Sequence, residues 1–206
     1  HVVTVLHNGM LAPLTPYGIK GAIWYQGESN ASRARQYQTL LPTMIGDWRN
    51  QFRQGDLPFF IVQLANFKKV QEQPVESGWA ELREAQAMTA ANDTNVGLAV
   101  ITDIEHLGPT FREMQVNGSQ ARLTFDGVGA GLVARGDEVK GFAIAGSDGE
   151  FHWAQAEIDG DTVIVSSPAV TAPTAVRYNW ADNPIGNLFN NNGLPAAPFR
   201  TDAHAW

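Results

Sequence analysis

Polar side chains that could do chemistry stand directly after an apolar stretch near the start of the chain. The segment of residues 19–25 is short and mostly apolar, and it lies between Gly18 and Gly27. This is typical of a buried parallel strand. The amide, carboxylate and hydroxyl groups that follow belong to Gln26, Glu28, Ser29 and Asn30. Open α/β sheets bind their ligands beyond the carboxyl ends of the strands. We therefore expect these side chains to form a site at one edge of a sheet.

A second candidate pair, Asp103 and His106, follows another apolar stretch at residues 96–101. An aspartate can orient a histidine that acts as general base, and a base at the sheet edge could reach a neighbouring nucleophile. The spacing Asp-x-x-His therefore makes His106 a candidate base. A single histidine in a loop is commonly just solvated, so both interpretations stay open.

Ser29 invites comparison with a catalytic nucleophile, because Gly27-Glu28-Ser29 partly matches the Gly-x-Ser-x-Gly turn of serine hydrolases. The fifth position of that turn is here Ala31. Serine and asparagine are also favoured residues at helix N-termini. We therefore predict that Ser29 or Asn30 caps the following helix, and that Ser29 is not the nucleophile.

The spacing of apolar residues predicts the elements that position these groups. Apolar residues recur every three or four positions over residues 37–48 and again over residues 79–91, as in amphipathic helices, and Ser77 is suited to cap the second. Pro42 should kink or divide the first helix. A further apolar stretch lies at residues 59–64. The order strand, helix, strand, helix, strand predicts two right-handed βαβ units in a parallel sheet.

The pattern changes after Gly108. From Pro109 onward, stretches that alternate apolar and polar residues are separated by Asn-Gly, Asp-Gly and Gly-Asp turns, which indicates antiparallel hairpins. We therefore predict an α/β domain at residues 1–108 and an antiparallel β domain at residues 109–206, with a C-terminal tail from residue 183 that wraps back over one of them.

Composition narrows the function classes. The 206 residues carry a net charge of −7 with no long basic run, which argues against nucleic acid as a partner. No apolar run approaches the roughly 18 residues that a membrane span needs, and no signal-peptide pattern is recognised. There is no cysteine, and the histidines are too scattered to indicate a metal site. The glycine-rich residues 126–131 lack the context of a phosphate loop, so no cofactor is expected, and localisation stays open.

The block from Trp24 to Asn30 resembles the corresponding block of the sialate O-acetylesterase family of SGNH hydrolases. The likeness extends to most of the chain, through the segments Asn8-Gly9-Met10, Asp47-Trp48-Arg49, Leu82-Arg83-Glu84-Ala85-Gln86 and Pro198-Phe199-Arg200-Thr201-Asp202. The resemblance implies a partial SGNH (flavodoxin-like) three-layer parallel sheet, followed by the antiparallel β region. It also implies a serine esterase that releases acetate from acetylated sialic acid or a related acetylated sugar.

The resemblance implies roles for the candidate residues as well. Gln26 would donate its side-chain N–H to the oxyanion, although a strand-end amide that ties down a loop is the simpler alternative. His106 would be the general base, and Asp103 would orient its imidazole. Four further residues would contact the sugar, the aromatic ones by stacking and the polar ones through hydroxyl groups: Trp24, Tyr25, Glu28 and Asn30. For Trp24, a place in the core is the favoured interpretation, since most aromatic residues in a chain of this size belong to the core.

Two family motifs are not matched. The family's Gly-Gln-Ser-Asn-Met nucleophile motif has no counterpart, and its Asp-Ile-His-Pro motif is replaced by Asp103-Ile104-Glu105-His106. We therefore expect a family member that lacks the front of the domain and a segment near residues 104–108, with little esterase activity on its own. A complementing chain could supply the nucleophile motif, and a homo-oligomer or a partner segment could cover the edges of the sheet. The alternative is a non-catalytic carbohydrate-binding protein that holds glycan through the region from Pro109 onward and its exposed aromatic residues.

Overall fold

The computed structural model describes residues 4–100 and 108–202. The helices in this part are a π-helical turn at His7–Leu11, 3₁₀ helices at Ala12–Leu14 and Glu28–Arg33, α1 at Ala34–Phe52 and α2 at Gly78–Ala91. The first strands are β1 Ala22–Trp24, β2 Phe59–Val62, β3 Val96–Ala99, β4 Thr110–Asn117, β5 Gln120–Asp126, β6 Leu132–Ala134 and β7 Phe142–Ala145. The later strands are β8 Phe151–Trp153, β9 Gln155–Asp159, β10 Thr162–Ser166, β11 Ala175–Tyr178, β12 Leu188–Asn190 and β13 Phe199–Arg200. No described helix is long and apolar enough to cross a bilayer.

The first three strands form a parallel sheet in the order β1-β2-β3. One face of this sheet packs against α1 and α2, and Tyr37, Ile61 and Leu82 lie in the shared core. On the opposite face, Ile23 is 80% exposed and its neighbour Phe60 is 58% exposed. The predicted parallel βαβ arrangement is confirmed, with helices along one face in the described residues.

The predicted cap of the first helix is wrong, and so is one of the two effects predicted for Pro42, the division of the helix. Ser29 and Asn30 do not cap α1, because both lie inside the 3₁₀ helix that precedes it and Arg33 occupies the N-cap position. Pro42 does not divide α1, which continues through it to Phe52. The hydrogen bond that proline cannot make is offset by tertiary packing, since Leu41 and Ile45 are almost fully buried.

The predicted start of the second helix is confirmed. Ser77 occupies the N-cap position of α2, and its Oγ accepts a hydrogen bond from the backbone N–H of Ala80 at 3.1 Å. Glu81 lies in the first turn, where a negative charge interacts favourably with the helix dipole.

The remaining strands are antiparallel, as the sequence predicts. They form two four-stranded sheets, β4-β5-β10-β9 and β13-β11-β7-β8, and a two-stranded sheet, β12-β6. A single hydrophobic core takes side chains from both larger sheets, including Leu123 and Val163 from one and Ile144 and Val176 from the other. The last strands, β12 and β13, pair with β6 and β11, so the described part of the tail returns to the antiparallel sheets. The domain boundary near residue 108 stays a prediction.

Buried arginines connect the antiparallel sheets to the α/β part. Arg177 is almost fully buried and holds Asp202 through its Nε at 3.0 Å and its Nη2 at 2.7 Å, while its Nη1 donates to Glu76 at 2.8 Å. Arg200 makes the same two-bonded contact with Glu84 of α2, at 2.9 and 2.8 Å. Such bidentate pairs fix direction as well as distance. They hold the loop before α2, and α2 itself, against the sheet edge.

The Arg177 pair should make stability depend on pH. Burial by itself raises the pKa of Asp202, but the hydrogen bonds and charge of Arg177 outweigh it and hold that pKa below its ordinary value. A carboxyl group whose pKa is lowered by folding stabilises the folded state at pH values above its unfolded-state pKa of about 3.9. This contribution to the free energy of unfolding is lost as the pH falls toward the folded-state pKa. We predict that Asp202→Asn lowers the free energy of unfolding by about 1–3 kcal/mol at neutral pH, because charge-assisted hydrogen bonds are lost.

Urea unfolding at a series of pH values checks this prediction. The difference between Asp202→Asn and the unchanged protein should shrink as pH falls below about 4. Asp159→Asn is a matched control, because Asp159 pairs with Arg122 on an exposed surface where ion pairs contribute little. A difference for Asp202→Asn that stays constant across the whole pH range would contradict the prediction.

Candidate active site

A glycine turn carries the chain from β1 into the polar cluster. Gly27 has φ +149°, and a Cβ at this position would lie 2.4 Å from Cδ2 of Leu82. Only glycine avoids that overlap in this backbone conformation. The turn therefore lets α2 approach the end of β1 closely and directs Gln26, Glu28 and Asn30 beyond the strand.

Hydrogen bonds hold the carboxamide of Gln26 in one orientation. The hydroxyl of Tyr37 lies 2.9 Å from Oε1 and 3.1 Å from the backbone oxygen of Gln26, and it accepts a hydrogen bond from the indole Nε1 of Trp24 at 3.2 Å. Because an indole N–H can only donate, the hydroxyl proton of Tyr37 is left to point toward Gln26. The carbonyl end of the carboxamide thus faces the core.

The amino end of the same carboxamide faces the polar cluster. Gln26 Nε2 donates to Oδ1 of Asn30 at 3.0 Å. A primary amide carries two N–H groups, so this contact uses one of them. Gln26 therefore presents a positioned N–H donor at the carboxyl end of β1.

Gln86, on the buried side of α2, holds the backbone at the same point. Its Nε2 donates to the backbone oxygen of Gln26 at 3.1 Å, and its Oε1 accepts from the backbone N–H of Leu64 at 3.1 Å. Gln86 is fully buried. The side chain of Gln86 thus holds the segment after β1 next to the segment after β2. Ligand sites of open α/β sheets form at these ends of the strands.

The other predicted substrate-contacting residues lie around Gln26 in different environments. Glu28 folds back, and its Oε2 accepts from the backbone N–H of Gly27 at 3.0 Å. Tyr25 is 52% exposed at the strand end. Trp24 is half-buried, with its ring edge-on to Trp48 at 5.9 Å between ring centroids, so the structure gives it packing contacts. Ser29 is exposed and makes no contact with Gln26 that the structure shows.

A groove of about 540 Å³ begins beside this cluster. We call it the Glu28 groove; it lies between the 3₁₀ helix Glu28–Arg33 and the loop before α2, and Glu28, Ser29, Phe67, Lys68, Trp79 and Asp182 line it. Phe67 and Trp79 stack on each other at 4.7 Å. Asp182 accepts hydrogen bonds from Lys68 at 2.7 Å and Ser77 at 2.6 Å. Burial alone raises the pKa of Asp182, but these bonds outweigh it and lower the pKa.

Arg83 fixes the loop that forms one wall of this groove. Its guanidinium group is fully buried and donates to the backbone oxygens of Leu64, Ala65 and Ala181, at 2.7, 2.7 and 2.9 Å. Burial lowers the pKa of Arg83 to about 10, while the charge of Asp182 acts in the opposite direction. The group therefore stays charged at neutral pH and binds carbonyl groups from two distant parts of the chain.

Sequence reasoning predicted a site at the end of β1 but missed the residues that hold it: Tyr37, Arg83, Gln86 and Asp182. A signal was available for Arg83 and Gln86, since both share the buried side of α2 with Leu82 and Ala85, where polar residues need partners. Asp103 and His106 lie outside the described residues, so their predicted roles stay predictions. Within the described residues, no group of three or more potential ligands could hold a metal ion.

Replacing Arg83 should destabilise the protein strongly. Arg83→Met keeps the length of the side chain but leaves the carbonyl oxygens of Leu64, Ala65 and Ala181 buried without their donor. We predict a loss of about 3 kcal/mol or more in the free energy of unfolding, measured by urea unfolding. The control is Arg122→Met, which removes an exposed arginine and should cost less than about 1 kcal/mol. Equal effects of the two substitutions would show that Arg83 does not support the loop.

Comparison with known proteins places the chain in a family. The model of a carbohydrate esterase family, described as sialic acid-specific acetylesterase, matches residues 6–112. A crystal structure of a carbohydrate acetylesterase from Xanthomonas citri is 42% identical, with a TM-score of 0.88 over 100% of this chain and 55% of that chain. This match confirms the predicted fold class, a partial SGNH-type parallel sheet followed by an antiparallel β region.

Curated relatives agree with this assignment over shorter lengths. Sialate O-acetylesterase from Mus musculus is 42% identical over 72 residues, 31% of this chain and 13% of the relative. The Rattus norvegicus protein of the same name is 28% identical over 146 residues, 66% of this chain and 27% of the relative. The chain thus spans about a quarter or less of these two relatives. Because the family model covers more than half of the chain, the chain belongs to the sialic acid-specific acetylesterase family of carbohydrate esterases.

Proposed function

We propose that this chain forms the oxyanion-binding side of a carbohydrate O-acetylesterase, which hydrolyses acetyl esters of sugars by a serine-esterase mechanism. The observation that carries the proposal is the carboxamide of Gln26, held at the end of β1 with its oxygen toward Tyr37 and its amino group toward Asn30. The names of the related proteins, sialate O-acetylesterase and carbohydrate acetylesterase, support the class of substrate.

In the proposed reaction, a serine oxygen attacks the acetyl carbon, and the carbonyl oxygen of the ester becomes an anion. The N–H of Gln26 that Asn30 does not engage donates to this oxyanion. Because the carboxamide is already held by hydrogen bonds, little reorganisation is needed as charge develops. Burial is the largest influence on Tyr37 and raises its pKa, so its hydroxyl stays protonated at neutral pH and continues to orient Gln26.

Asp103 and His106 take the remaining catalytic roles in this proposal. His106 removes the proton of the serine and gives it to the sugar oxygen as the ester bond breaks, and Asp103 orients the imidazole. The acetyl group stays on the serine until a water molecule, deprotonated by His106, attacks it; acetate then leaves and the serine regains its proton. The sugar extends from the end of β1 into the Glu28 groove, where Glu28 contacts its hydroxyl groups. Tyr25 stacks against its ring and Asn30 contacts its hydroxyl groups outside the groove, at the end of β1. Trp24 would contact the sugar only at its edge, since its indole N–H is held by Tyr37.

The serine is the component for which this sequence contains no family motif. We therefore propose that these 206 residues alone hydrolyse esters slowly, and that the nucleophile comes from a complementing chain, since a second copy has the same sequence and lacks the motif too. Oxyanion binding alone still accelerates ester hydrolysis over water by about 10³- to 10⁴-fold in serine proteases that have lost their triad residues. A slow but measurable rate is therefore the expected behaviour.

Gln26→Ala should remove most of that slow rate. We predict a decrease of about 10²- to 10³-fold in the release of acetate from an acetylated sugar and from p-nitrophenyl acetate, because one oxyanion donor is lost. Gln26→Glu has nearly the same shape but places an acceptor where the donor stood, so it should be equally slow. Thermal unfolding of each variant shows whether the fold is retained.

Two results would overturn the proposal. The first is a Gln26→Ala variant that stays folded and hydrolyses both esters at the original rate. The second concerns the nucleophile: rapid turnover by the chain alone, blocked by a serine-directed phosphonate whose label maps to a residue of this chain. Calorimetry and acetate release together distinguish the non-catalytic alternative, in which sugar affinity is retained after Gln26→Ala and neither the unchanged protein nor the variant releases acetate.

Tyr37→Phe tests whether the orientation of Gln26 matters. The substitution removes the hydroxyl that fixes Oε1 of Gln26 while keeping the buried ring, so we predict about a tenfold lower kcat with an unchanged KM. Side-chain amide signals of Gln26 in ¹⁵N NMR spectra should also broaden or shift. Tyr17→Phe is the control, because Tyr17 is 66% exposed. A fall in stability with no change in kcat would assign Tyr37 a purely structural role.

A further inference from the structure

A second groove, which has no lining residue in common with the Glu28 groove, lies between the loop before α2 and the strands β7 to β9. We call it the Trp153 groove; its volume is about 640 Å³, and Gln71, Glu72, Glu138, Lys140, Trp153 and Gln155 line it. A volume of this size suits a small organic ligand of a few rings. The groove lies outside the machinery of the proposed esterase reaction.

The indole of Trp153 forms one wall of this groove. Trp153 is 38% exposed and ends strand β8, the edge strand of the sheet β13-β11-β7-β8. Its Nε1 donates to the backbone oxygen of Glu72 at 2.7 Å, which fixes the plane of the ring. Among the described residues, no other aromatic ring packs against it within stacking distance. The result is an indole held in place at the wall of the groove.

Polar groups surround this aromatic surface. The amides of Gln71 and Gln155 can both donate and accept hydrogen bonds, and the carboxylates of Glu72 and Glu138 can accept them. Small apolar side chains, Ala154 and Ala156, also line the groove. Alternate C–H and O–H groups are what a pyranose ring presents to a protein. An aromatic face bordered by amides and carboxylates is complementary to such a ring.

The two walls of the groove are held in place before any ligand arrives. Asn187 Nδ2 donates to the backbone oxygens of Arg135 and Glu138 at 2.9 and 2.8 Å, and its Oδ1 accepts from the backbone N–H of Lys140 at 2.8 Å. On the other wall, Trp153 itself binds the backbone of Glu72. A site whose walls are fixed in advance loses less conformational entropy on binding.

We infer that the Trp153 groove binds one or two units of an uncharged glycan chain by stacking a pyranose ring on the indole. The lining offers two carboxylates and one ammonium group, from Glu72, Glu138 and Lys140, so an acidic sugar is disfavoured. The groove and the Glu28 groove share the loop of residues 66–77. A glycan held at Trp153 is therefore anchored at a point separate from the ester, and its binding does not depend on the esterase chemistry.

Calorimetric titration of the full 206-residue chain with xylotetraose, cellotetraose and sialyllactose tests the inference. At least one of the uncharged oligosaccharides should bind with a Kd of about 1 mM or tighter. Trp153→Ala should weaken it by about tenfold or more, because the stacking surface is lost. Trp153→Phe keeps a ring but loses the N–H, so most of the affinity should remain. Gln26→Ala should have no effect on this binding.

Several results would overturn the inference: no binding of either uncharged oligosaccharide, tighter binding of sialyllactose than of both, or unchanged affinity in a folded Trp153→Ala variant. Equal losses in folded Trp153→Phe and Trp153→Ala variants would also overturn it, because the ring face would then not be the determinant. If Trp153→Ala does not fold, the double substitution of Gln71 and Gln155 by alanine replaces it. That variant should lose affinity through the missing hydrogen bonds, and unchanged affinity there rejects the site.

Discussion

The buried guanidinium group of Arg83 is the constraint on which the arrangement of both grooves depends. Removing a charge from water is costly unless its donors are satisfied. Here backbone oxygens satisfy them, from Leu64 and Ala65 at the end of β2 and from Ala181 much later in the chain. Because carbonyl groups of the backbone have fixed directions, these bonds determine where the loop after β2 leaves the sheet. They also bring Asp182 to the wall of the Glu28 groove.

The loop of residues 66–77, which follows β2, also forms part of the Trp153 groove. Its first residues line the Glu28 groove, its middle residues reach Trp153, and its last residues cap α2. Arg177 holds the loop again through Glu76. A loop tied at its start, middle and end has little freedom, although the described residues 66–77 contain neither helix nor strand. Both grooves are thus positioned by the contacts that hold this loop.

Much of the fold could be predicted from the sequence, because the relevant signals are local. Short apolar stretches gave the three parallel strands, and Asn-Gly and Asp-Gly turns gave the hairpins. The sequence predictions were wrong at two positions where one local preference opposed another. Ser29 is a good N-cap residue, but the glycine turn at Gly27 starts a 3₁₀ helix first, so the cap position of α1 falls at Arg33. Pro42 disfavours a helix, but the burial of its neighbours favours one.

The candidate site was less predictable, because its geometry depends on contacts between distant residues. Position after an apolar strand was enough to place Gln26 at the sheet edge. Its orientation depends on Tyr37, and its backbone depends on Gln86, sixty positions later in the sequence. Periodicity shows that Tyr37 and Gln86 face the core, but not which polar atoms they meet there. Arg83 could be recognised only as a polar residue on a buried face, without its partners.

The open face of the parallel sheet bears on how well Gln26 can act as an oxyanion donor. A neutral amide stabilises an anion strongly only where water does not compete for it. Ile23, Tyr25 and Phe60 are 80%, 52% and 58% exposed around the end of β1, so the described residues leave Gln26 close to solvent. Parallel sheets are normally covered on both faces. Under the proposed function, a chain that supplies the serine and covers this face therefore contributes twice, through the nucleophile and through the exclusion of water. A serine placed near Gln26 without that cover would recover only part of the rate.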